Sequence, residues 1–260
     1  MMKIKYLVPS YRRAKTMTTL DYLSKAVAVV SEDEIEEYKR YHPQYGDDRF
    51  VVCPREFQGK GKPKILNWIL DTQFGDCDAI IELDDDIHAY MANVKNGRSR
   101  ALSETEVYEI FENNCNLAYE WGCAIWGLNI NSDPLSYDEF KPFRLHAYID
   151  GGTVGHVIKN ELRYDEELSV KEDVDYFLQN LKKYHKALRI EKYWINKESF
   201  TNEGGANAIR TSELEKEQFK RMQEKWGSKI IRPNRPTAKH SSKIRGLGGA
   251  IRLNIPLSGC

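Results

Sequence analysis

The chain has 260 residues, of which 41% are hydrophobic, and its 39 basic side chains balance 39 acidic ones. This composition predicts a water-soluble globular protein with a sizeable core, and it excludes a disordered chain and a generally basic nucleic-acid clamp. The apolar runs are too short to span a bilayer, and we expect no secretory signal within the first ten residues. The five cysteines show no C-x-x-C spacing, so we expect neither a zinc site nor disulfides and predict a cytoplasmic location.

The first third of the chain alternates short, nearly continuous apolar runs with segments of helical pattern. Apolar strands separated by helices are typical of a parallel sheet that is covered on both faces. The predicted elements are strands at 3–9, 25–31, 49–53 and 78–83 and helices at 16–24, at 33–41 and from Pro63, which follows a Gly-Lys-rich loop at 58–62. We therefore predict an α/β fold with a Rossmann-like, mostly parallel central sheet flanked by helices.

The alternation weakens after residue 86. Two Ser-x-x-Glu capping boxes, Ser103 with Glu106 and Ser169 with Glu172, are each predicted to begin a helix, and the first helix is expected to end near residue 121. The other predicted elements are strands at 124–130, 145–149 and 187–194 and a helix at 212–226. Neither a repeat nor a linker divides the sequence, so we predict a single domain.

The strand predicted at 78–83 is followed by three consecutive aspartates, Asp84, Asp85 and Asp86. Carboxylates that emerge together at a sheet edge repel one another, and a divalent cation offsets this repulsion best. Mg²⁺ and Mn²⁺ prefer oxygen ligands and can bridge a carboxylate to a diphosphate. A solvated turn after a strand is the alternative interpretation when the triplet is taken alone.

Residues 9–13, with the sequence Pro-Ser-Tyr-Arg-Arg, follow the first predicted strand. Ligands of parallel open sheets bind beyond the carboxyl ends of the strands, so this loop is expected on the same edge as the aspartate triplet. Tyr11 can stack on a nucleobase, and Arg12 or Arg13 can neutralise a phosphate. Taken alone, the loop is equally compatible with an ordinary turn that carries solvated arginines.

Two further polar segments lie later in the chain. Residues 150–153, Asp-Gly-Gly-Thr, follow a predicted strand, and consecutive glycines either let the backbone approach a ligand closely or serve a tight turn. Glu172 and Asp173 lie in the first turn of a predicted helix, where Glu172 is the expected capping-box partner. Asp173 is a candidate base for an acceptor hydroxyl, or else a favourable charge at the helix N-terminus.

The C-terminal region is locally basic. Between residues 206 and 252, twelve Lys or Arg accompany four Glu. Such an excess suits polyphosphate or nucleic acid, although a solvated surface has the same composition. Within this region His240 can serve as a metal ligand, while Lys243 and Arg245 can contact a diphosphate.

The order of these elements resembles that of GT-A glycosyltransferases: an Asp-x-Asp motif, a glycine loop, Glu-Asp on a helix and a C-terminal histidine. The segment Val8-Pro9-Ser10-Tyr11-Arg12-Arg13 resembles one branch in particular, the TET-associated glycosyltransferases of bacteriophages, as does the pairing of Gly61-Lys62 with Asn67. The resemblance covers roughly residues 3–250. The three consecutive aspartates depart from a simple Asp-x-Asp motif, which leaves open which of them binds metal.

The resemblance implies a GT-A fold in one domain, with a nucleotide-binding half at 1–90, an acceptor-binding half at 91–230 and a basic tail or lid at 231–260. It implies binding of Mn²⁺ or Mg²⁺ and of a nucleotide-diphosphate sugar, for which UDP is the expected nucleotide. The implied metal ligands are Asp84, Asp86 and His240, and the implied donor-binding residues are Pro9, Ser10, Tyr11, Arg12, Lys64, Asn67, Asp84, Asp85, Gly151, Gly152, Lys243 and Arg245. Asp173 would be the base of an inverting displacement, with Glu172 beside it.

The resemblance also implies an acceptor: the hydroxyl of an oxidised pyrimidine in phage DNA, such as 5-hydroxymethylcytosine. This chemistry requires a flipped base or a single strand, on which Trp126, Tyr193 or Trp194 can stack, although large aromatic side chains more often belong to cores. Three alternatives stay open. They are transfer to a DNA-linked sugar, a polysaccharide or a protein; a nucleotidyltransferase, which would normally carry a Gly-rich loop where this chain has Ser10–Arg13; and a non-catalytic nucleic-acid-binding module.

Overall fold

The computed structural model describes residues 2–57, 61–94, 97–197, 209–234 and 251–255 of the chain. Its strands are β1 (Ile4–Pro9), β2 (Ala26–Ser31), β3 (Phe50–Cys53), β4 (Ala79–Leu83), β5 (Ile87–Val94), β6 (Arg98–Ala101), β7 (Ile125–Asn129), β8 (Phe143–Arg144), β9 (Thr153–His156), β10 (Leu188–Lys197), β11 (Ile231–Pro233) and β12 (Ile251–Leu253). Its α-helices are α1 (Thr19–Tyr22), α2 (Ile35–Tyr41), α3 (Lys62–Thr72), α4 (Glu104–Glu120), α5 (Glu172–Tyr184) and α6 (Ser212–Trp226).

The first ten strands form one sheet in the order β3-β2-β1-β4-β9-β7-β10-β5-β6, with β8 beside β10, and β11 pairs with β12 separately. Strands β3, β2, β1 and β4 are parallel neighbours, as the apolar runs predict. Leu7 and Val8 of β1 point to opposite faces and are both buried, because helices cover the sheet on both sides.

The remainder of the sheet is mixed. The antiparallel strand β9 separates β4 from β7, and β5 runs antiparallel to both β10 and β6. Strands β1 to β4, β6, β7 and β10 share one direction, whereas β5, β8 and β9 run the opposite way. The predicted fold class, an α/β domain with a mostly parallel central sheet flanked by helices, is confirmed.

Close packing between β7 and β9 fixes the centre of the sheet. Trp126 of β7 is completely buried beside Gly155 of β9, where a Cβ atom would lie 1.9 Å from the indole Nε1. The same indole packs on Phe111 of α4. The interpretation of Trp126 as a base-stacking residue is therefore wrong, since its ring belongs to the core.

Two predicted elements differ in the structure. Only Thr19–Tyr22 of the predicted helix 16–24 is helical, because the carbonyl of Asp85 accepts the N–H groups of Thr18 and Thr19 and fixes the preceding residues as a loop. The predicted strand at 145–149 is irregular. Ile149 points into the core, where its Cγ2 atom would lie 2.3 Å from a Cβ atom placed on Gly127. Local packing thus overrides the strand propensity of this segment.

The two predicted capping boxes have different outcomes. Ser103 and Glu106 form the complete reciprocal box at the start of α4. The second box is absent, because the hydroxyl of Ser169 instead accepts a 2.9 Å hydrogen bond from the side-chain amide of Gln218. Residue 171 is the N-cap of α5 and makes no side-chain cap, which leaves Glu172 without the capping role that was predicted for it. Among the described helices, none combines the length and apolarity that a membrane crossing requires.

Candidate active site

The loop after β1 and the loop after β4 meet at one edge of the sheet, because these strands are parallel neighbours. Ser10 donates a 2.6 Å hydrogen bond from Oγ to Oδ2 of Asp85. Arg13 reaches both later aspartates, since its Nη1 lies 2.6 Å from Oδ1 of Asp85 and 3.0 Å from Oδ2 of Asp86. The predicted proximity of residues 9–13 to the aspartate triplet is therefore present in the structure.

Asp85 organises this edge of the sheet. Both of its carboxylate oxygens accept hydrogen bonds, from Ser10 and Arg13, and its side chain is buried. The Ser10 hydroxyl also lies 2.7 Å from the hydroxyl of Tyr38, which accepts from the backbone N–H of Arg13. This closed network assigns Asp85 to holding the loop in place, which is a different task from the donor contact that the resemblance implies.

Asp84 is held by two lysines. Its carboxylate oxygens lie against the ammonium groups of Lys62, at the start of α3, and of Lys197, at the end of β10, the latter at 2.6 Å. Although burial opposes ionisation, Lys197 and Lys62 keep the pKa of Asp84 well below its usual range. A carboxylate with both oxygens engaged by ammonium groups is poorly placed to bind metal, which is evidence against Asp84 as a metal ligand.

Asp86 has a different electrostatic environment. Burial raises its pKa, and the charges of Asp84 and Asp85 raise it further, even though Arg13 lies beside it. A buried carboxylate whose ionised form is disfavoured gains from an added cation. The described residues contain no cluster of three or more His, Cys, Asp or Glu arranged to hold a metal ion. A Mg²⁺ or Mn²⁺ ion held by one carboxylate and substrate phosphates nevertheless fits Asp86, since such ions are commonly bound in this way.

The glycine loop lies against the aspartate triplet. The carbonyl of Gly152 accepts a 3.0 Å hydrogen bond from the N–H of Asp84. The N–H of Gly152 donates a 2.9 Å hydrogen bond to Oδ1 of Asp150. Gly151 faces α5, where a Cβ atom on it would lie 3.7 Å from the Cβ of Asp173. The structure therefore brings together the triplet, the glycine loop and the start of α5.

Asp173 is partly accessible and is oriented by two hydrogen bonds. The hydroxyl of Tyr148 donates to Oδ2, and the backbone N–H of Val174 donates to Oδ1 at 2.7 Å. The neighbouring Glu172 is buried, and burial together with the charge of Asp173 raises its pKa well above the ordinary range for glutamate. The environment of Glu172 therefore favours its protonated form.

Both carboxyl groups line one cavity. Its other lining residues come from α3, β4, β7, β9, α5 and the loops between them: Lys62, Leu66, Glu82, Ile125, Ile149, Gly151, Val154, Tyr164, Tyr176 and Phe177. Tyr164 stacks on Tyr176 with ring centroids 4.0 Å apart, and its hydroxyl donates to Glu82 at 3.0 Å. The cavity therefore combines aromatic walls with buried carboxyl groups.

The side chains implied for the nucleoside lie at the edge of this cavity. Asn67 is buried, and its amide group both donates to and accepts from the backbone of Tyr164, at 3.0 and 2.8 Å. Lys64 is partly exposed and lies 3.9 Å from Glu166. The hydrogen bonds of Asn67 assign it to positioning Tyr164, whereas Lys64 retains an accessible ammonium group.

The remaining predicted donor residues follow β1 or lie outside the described part of the chain. Pro9 is buried at the end of β1, and Tyr11 is partly exposed beside the guanidinium of Arg12, 5.1 Å from its ring centroid. Arg12 has a left-handed backbone, with φ of 55°, and its N–H donates to Glu34. The predictions for His240, Lys243 and Arg245 concern residues outside the described ranges.

Three residues at the site were not predicted: Lys197, Tyr148 and Glu82. Glu82 lies on β4, two residues before the triplet, and a charged residue within this apolar strand was an available signal. Lys197 and Tyr148 lie on segments whose approach to the site depends on the order of strands in the sheet.

Several solved structures resemble the chain distantly. Residues 1–349 of TarS from S. aureus share 13% identity at a TM-score of 0.48, covering 85% of this chain and 66% of that chain. The chain thus spans just under two thirds of the length of the TarS fragment. Glucosyl-3-phosphoglycerate synthase from Mycobacterium tuberculosis was solved with Mn²⁺, UDP-glucose and phosphoglyceric acid. It shares 10% identity with the chain at a TM-score of 0.47, covering 90% of this chain and 84% of that chain.

A 4-diphosphocytidyl-2C-methyl-D-erythritol synthase from Anaerococcus prevotii shares 11% identity at a TM-score of 0.45, covering 77% of this chain and 92% of that chain. Likenesses at this level carry no information on chemistry. No curated protein sequence matches the chain.

The family comparison is more specific. The model of the family described as "TET-Associated Glycosyltransferase" matches residues 4–205, which include both loops after β1 and β4, the glycine loop and the start of α5. The match extends over more than half of the chain and agrees with the resemblance and the expected enzyme class. The chain belongs to the TET-associated glycosyltransferase family.

Proposed function

We propose that the protein transfers a glycosyl group from a UDP-sugar to the hydroxyl of a 5-hydroxymethylated pyrimidine in phage DNA, within the host cytoplasm. One observation carries the proposal: a carboxylate triplet, two partly buried ammonium groups and an oriented aspartate converge where β1, β4, the glycine loop and α5 meet. Family membership supports glycosyl transfer, and the family description supports DNA modification as its context.

The donor lies across the ends of β1 and β4. Tyr11 stacks on the nucleobase, and Arg12 meets the nucleotide from the same loop. Lys64 contacts the nucleoside from α3, while Asn67 acts through Tyr164. The bound diphosphate then faces the aspartate triplet. UDP-sugars are the first donors to test, because UDP is the nucleotide expected from the family resemblance.

Asp86 would hold the divalent cation, and His240 is the second protein ligand that the resemblance implies. When bound, the cation offsets the negative charge of the departing diphosphate. Arg13 keeps Asp86 oriented from within the sheet edge. Lys243 and Arg245 are the residues of the basic tail that the resemblance implies for binding the phosphates.

Asp173 is the catalytic base. It removes the proton from the acceptor hydroxyl, whose oxygen attacks the anomeric carbon from the side opposite the diphosphate, so that the anomeric configuration inverts. The bonds from Tyr148 and the Val174 N–H fix the carboxylate, a geometry in which proton transfer is efficient. Burial raises the pKa of Glu172 and so favours its neutral form, in which Glu172 adds no negative charge beside the base.

The acceptor enters from the side of the glycine loop. The 5-hydroxymethyl group of a duplex lies in the major groove, and enclosing it in an enzyme pocket beside a catalytic base requires the pyrimidine to be flipped or single-stranded. The partly exposed Tyr193 and Trp194 of β10 are the aromatic side chains proposed to stack on it, since Trp126 is in the core.

The experiment is mass spectrometry of oligonucleotides incubated with the protein, Mn²⁺ and a panel of nucleotide sugars. The oligonucleotides contain cytosine or 5-hydroxymethylcytosine, in single and double strands. We expect one glycosyl unit to be added only to the hydroxymethylated strand. Asp173→Asn should abolish the addition, whereas Asp138→Asn, at an exposed aspartate of a distant loop, should not. Transfer to a carbohydrate or protein acceptor, with none to either DNA, would refute the DNA assignment.

A further inference from the structure

The position of Lys197 is not explained by its strand alone. Strand β10 is separated from β4 by two other strands, yet the ammonium of Lys197 lies 2.6 Å from Asp84 and 3.9 Å from Asp150. The pairing of β10 with β5 shifts register between Asn196 and Lys197. Such irregularities redirect the following side chain, and here they aim Lys197 at the aspartate triplet.

The glycine loop leaves room for this side chain. A Cβ atom at residue 152 would lie 2.6 Å from the Nζ of Lys197. Gly152 is not among the glycines with positive φ, so its backbone conformation does not require glycine. The space that glycine provides is occupied by the ammonium group of Lys197.

Two ammonium groups, from Lys62 and Lys197, share the single carboxylate of Asp84. Asp150 lies 3.9 Å from Lys197, whereas Asp84 lies 2.6 Å from it, so Asp84 is the closer partner. About a fifth of the Lys197 side-chain surface is exposed, so the side chain is only partly buried.

We propose that Lys197 binds the diphosphate of the donor. Asp84 holds the ammonium group of Lys197 in place, and the absence of a side chain on Gly152 leaves the space that this group occupies. The inference rests on the proposed function, because it assumes a nucleotide-diphosphate ligand, and it adds a phosphate-binding residue from the core of the site. An ammonium group has three donors, so Lys197 keeps one on Asp84 and directs another to a phosphate oxygen. It thereby stabilises the leaving group as charge develops.

The test is calorimetric titration of UDP and of uridine into wild type, Lys197→Met, Lys197→Arg and Lys192→Met. Lys192 is the matched control, since it lies on the same strand but is exposed. A lost charge-assisted hydrogen bond predicts UDP binding about 10- to 100-fold weaker in Lys197→Met. Uridine binding should change less than about twofold, Lys197→Arg should recover part of the loss, and Lys192→Met should match wild type.

Unchanged UDP affinity in Lys197→Met would overturn the inference, as would an equal loss for UDP and uridine, which would indicate a structural role. Wild type that binds no nucleoside diphosphate at all would instead refute the proposed function and the inference with it. If Lys197→Met does not fold, Gly152→Ala provides the second test, because its methyl group displaces Nζ without removing a charge. The same selective loss of UDP affinity is expected, and its absence in folded Gly152→Ala would overturn the inference.

Discussion

Arg13 is the residue whose removal tests the electrostatics of the site most sharply. Its guanidinium bonds to Asp85 and Asp86, and the three side chains retain only 11%, 7% and 8% of their exposure. Arg13→Met keeps an unbranched side chain but leaves two buried carboxylates without this partner. Breaking a buried ion pair from one side costs about 3–5 kcal/mol, a large fraction of the ~5–15 kcal/mol that stabilises a typical domain.

The loss of stability in Arg13→Met should depend on pH. Burial and the charges of Asp84 and Asp85 already raise the pKa of Asp86, and without Arg13 this pKa rises further. A carboxyl group of that kind favours the folded state at low pH and loses this contribution as pH rises. The difference in unfolding free energy between wild type and Arg13→Met should therefore be largest near pH 7.5 and smaller near pH 4.5. Urea denaturation followed by circular dichroism at both pH values measures it.

A matched control separates burial from charge. Arg100 also pairs with a carboxylate, Glu106, but the two side chains retain 52% and 36% of their exposure. Arg100→Met should cost far less stability than Arg13→Met, because exposed pairs contribute little. Mn²⁺ should stabilise Arg13→Met more than wild type, since a cation at Asp86 replaces part of the lost charge. A loss in Arg13→Met no larger than in Arg100→Met, or one that does not shrink at low pH, would refute this reasoning.

Three further changes have defined outcomes. Asp84→Asn should lose about 1–3 kcal/mol of stability at pH 7, because two partly buried ammonium groups lose their counter-ion. The loss should shrink in urea titrations as pH falls below 3.8, since the depressed pKa of Asp84 stabilises the fold only above the acid range. Glu172→Gln should be more stable than wild type at pH 9 but not at pH 5, because the raised pKa of Glu172 disfavours folding at alkaline pH; equal pH profiles would contradict this. Gly155→Ala should lose at least ~1–3 kcal/mol by overpacking against Trp126, and a thermal midpoint equal to that of wild type would show that β7 and β9 do not pack this closely.

The sequence predicts the parallel half of the sheet well because its signals are local. Strands β1 to β4 are continuous apolar runs with helices between them, and such strands are buried on both faces. The meeting of residues 10–13 with the aspartate triplet follows directly, since ligand-binding loops of parallel strands share one edge. The capping box at Ser103 is equally local and is also present.

The rest of the site depends on long-range contacts that no local pattern encodes. Strand β9 has only four residues, and its insertion between β4 and β7 is what brings Gly152 to the backbone of Asp84. Lys197 reaches the site because of a register shift in β10. The second capping box failed for the same reason: Gln218, on a distant helix, bonds to Ser169.

The measurement that tests the central claim most directly is donor-dependent modification of DNA by the intact protein. Oligonucleotides with and without 5-hydroxymethylcytosine are incubated with Mn²⁺ and each nucleotide sugar, and product masses are compared for wild type, Asp86→Asn and Asp173→Asn. The account predicts one added glycosyl unit on the hydroxymethylated strand with wild type and none with either variant, while both variants remain folded. Transfer by folded Asp86→Asn or Asp173→Asn at the wild-type rate would contradict it.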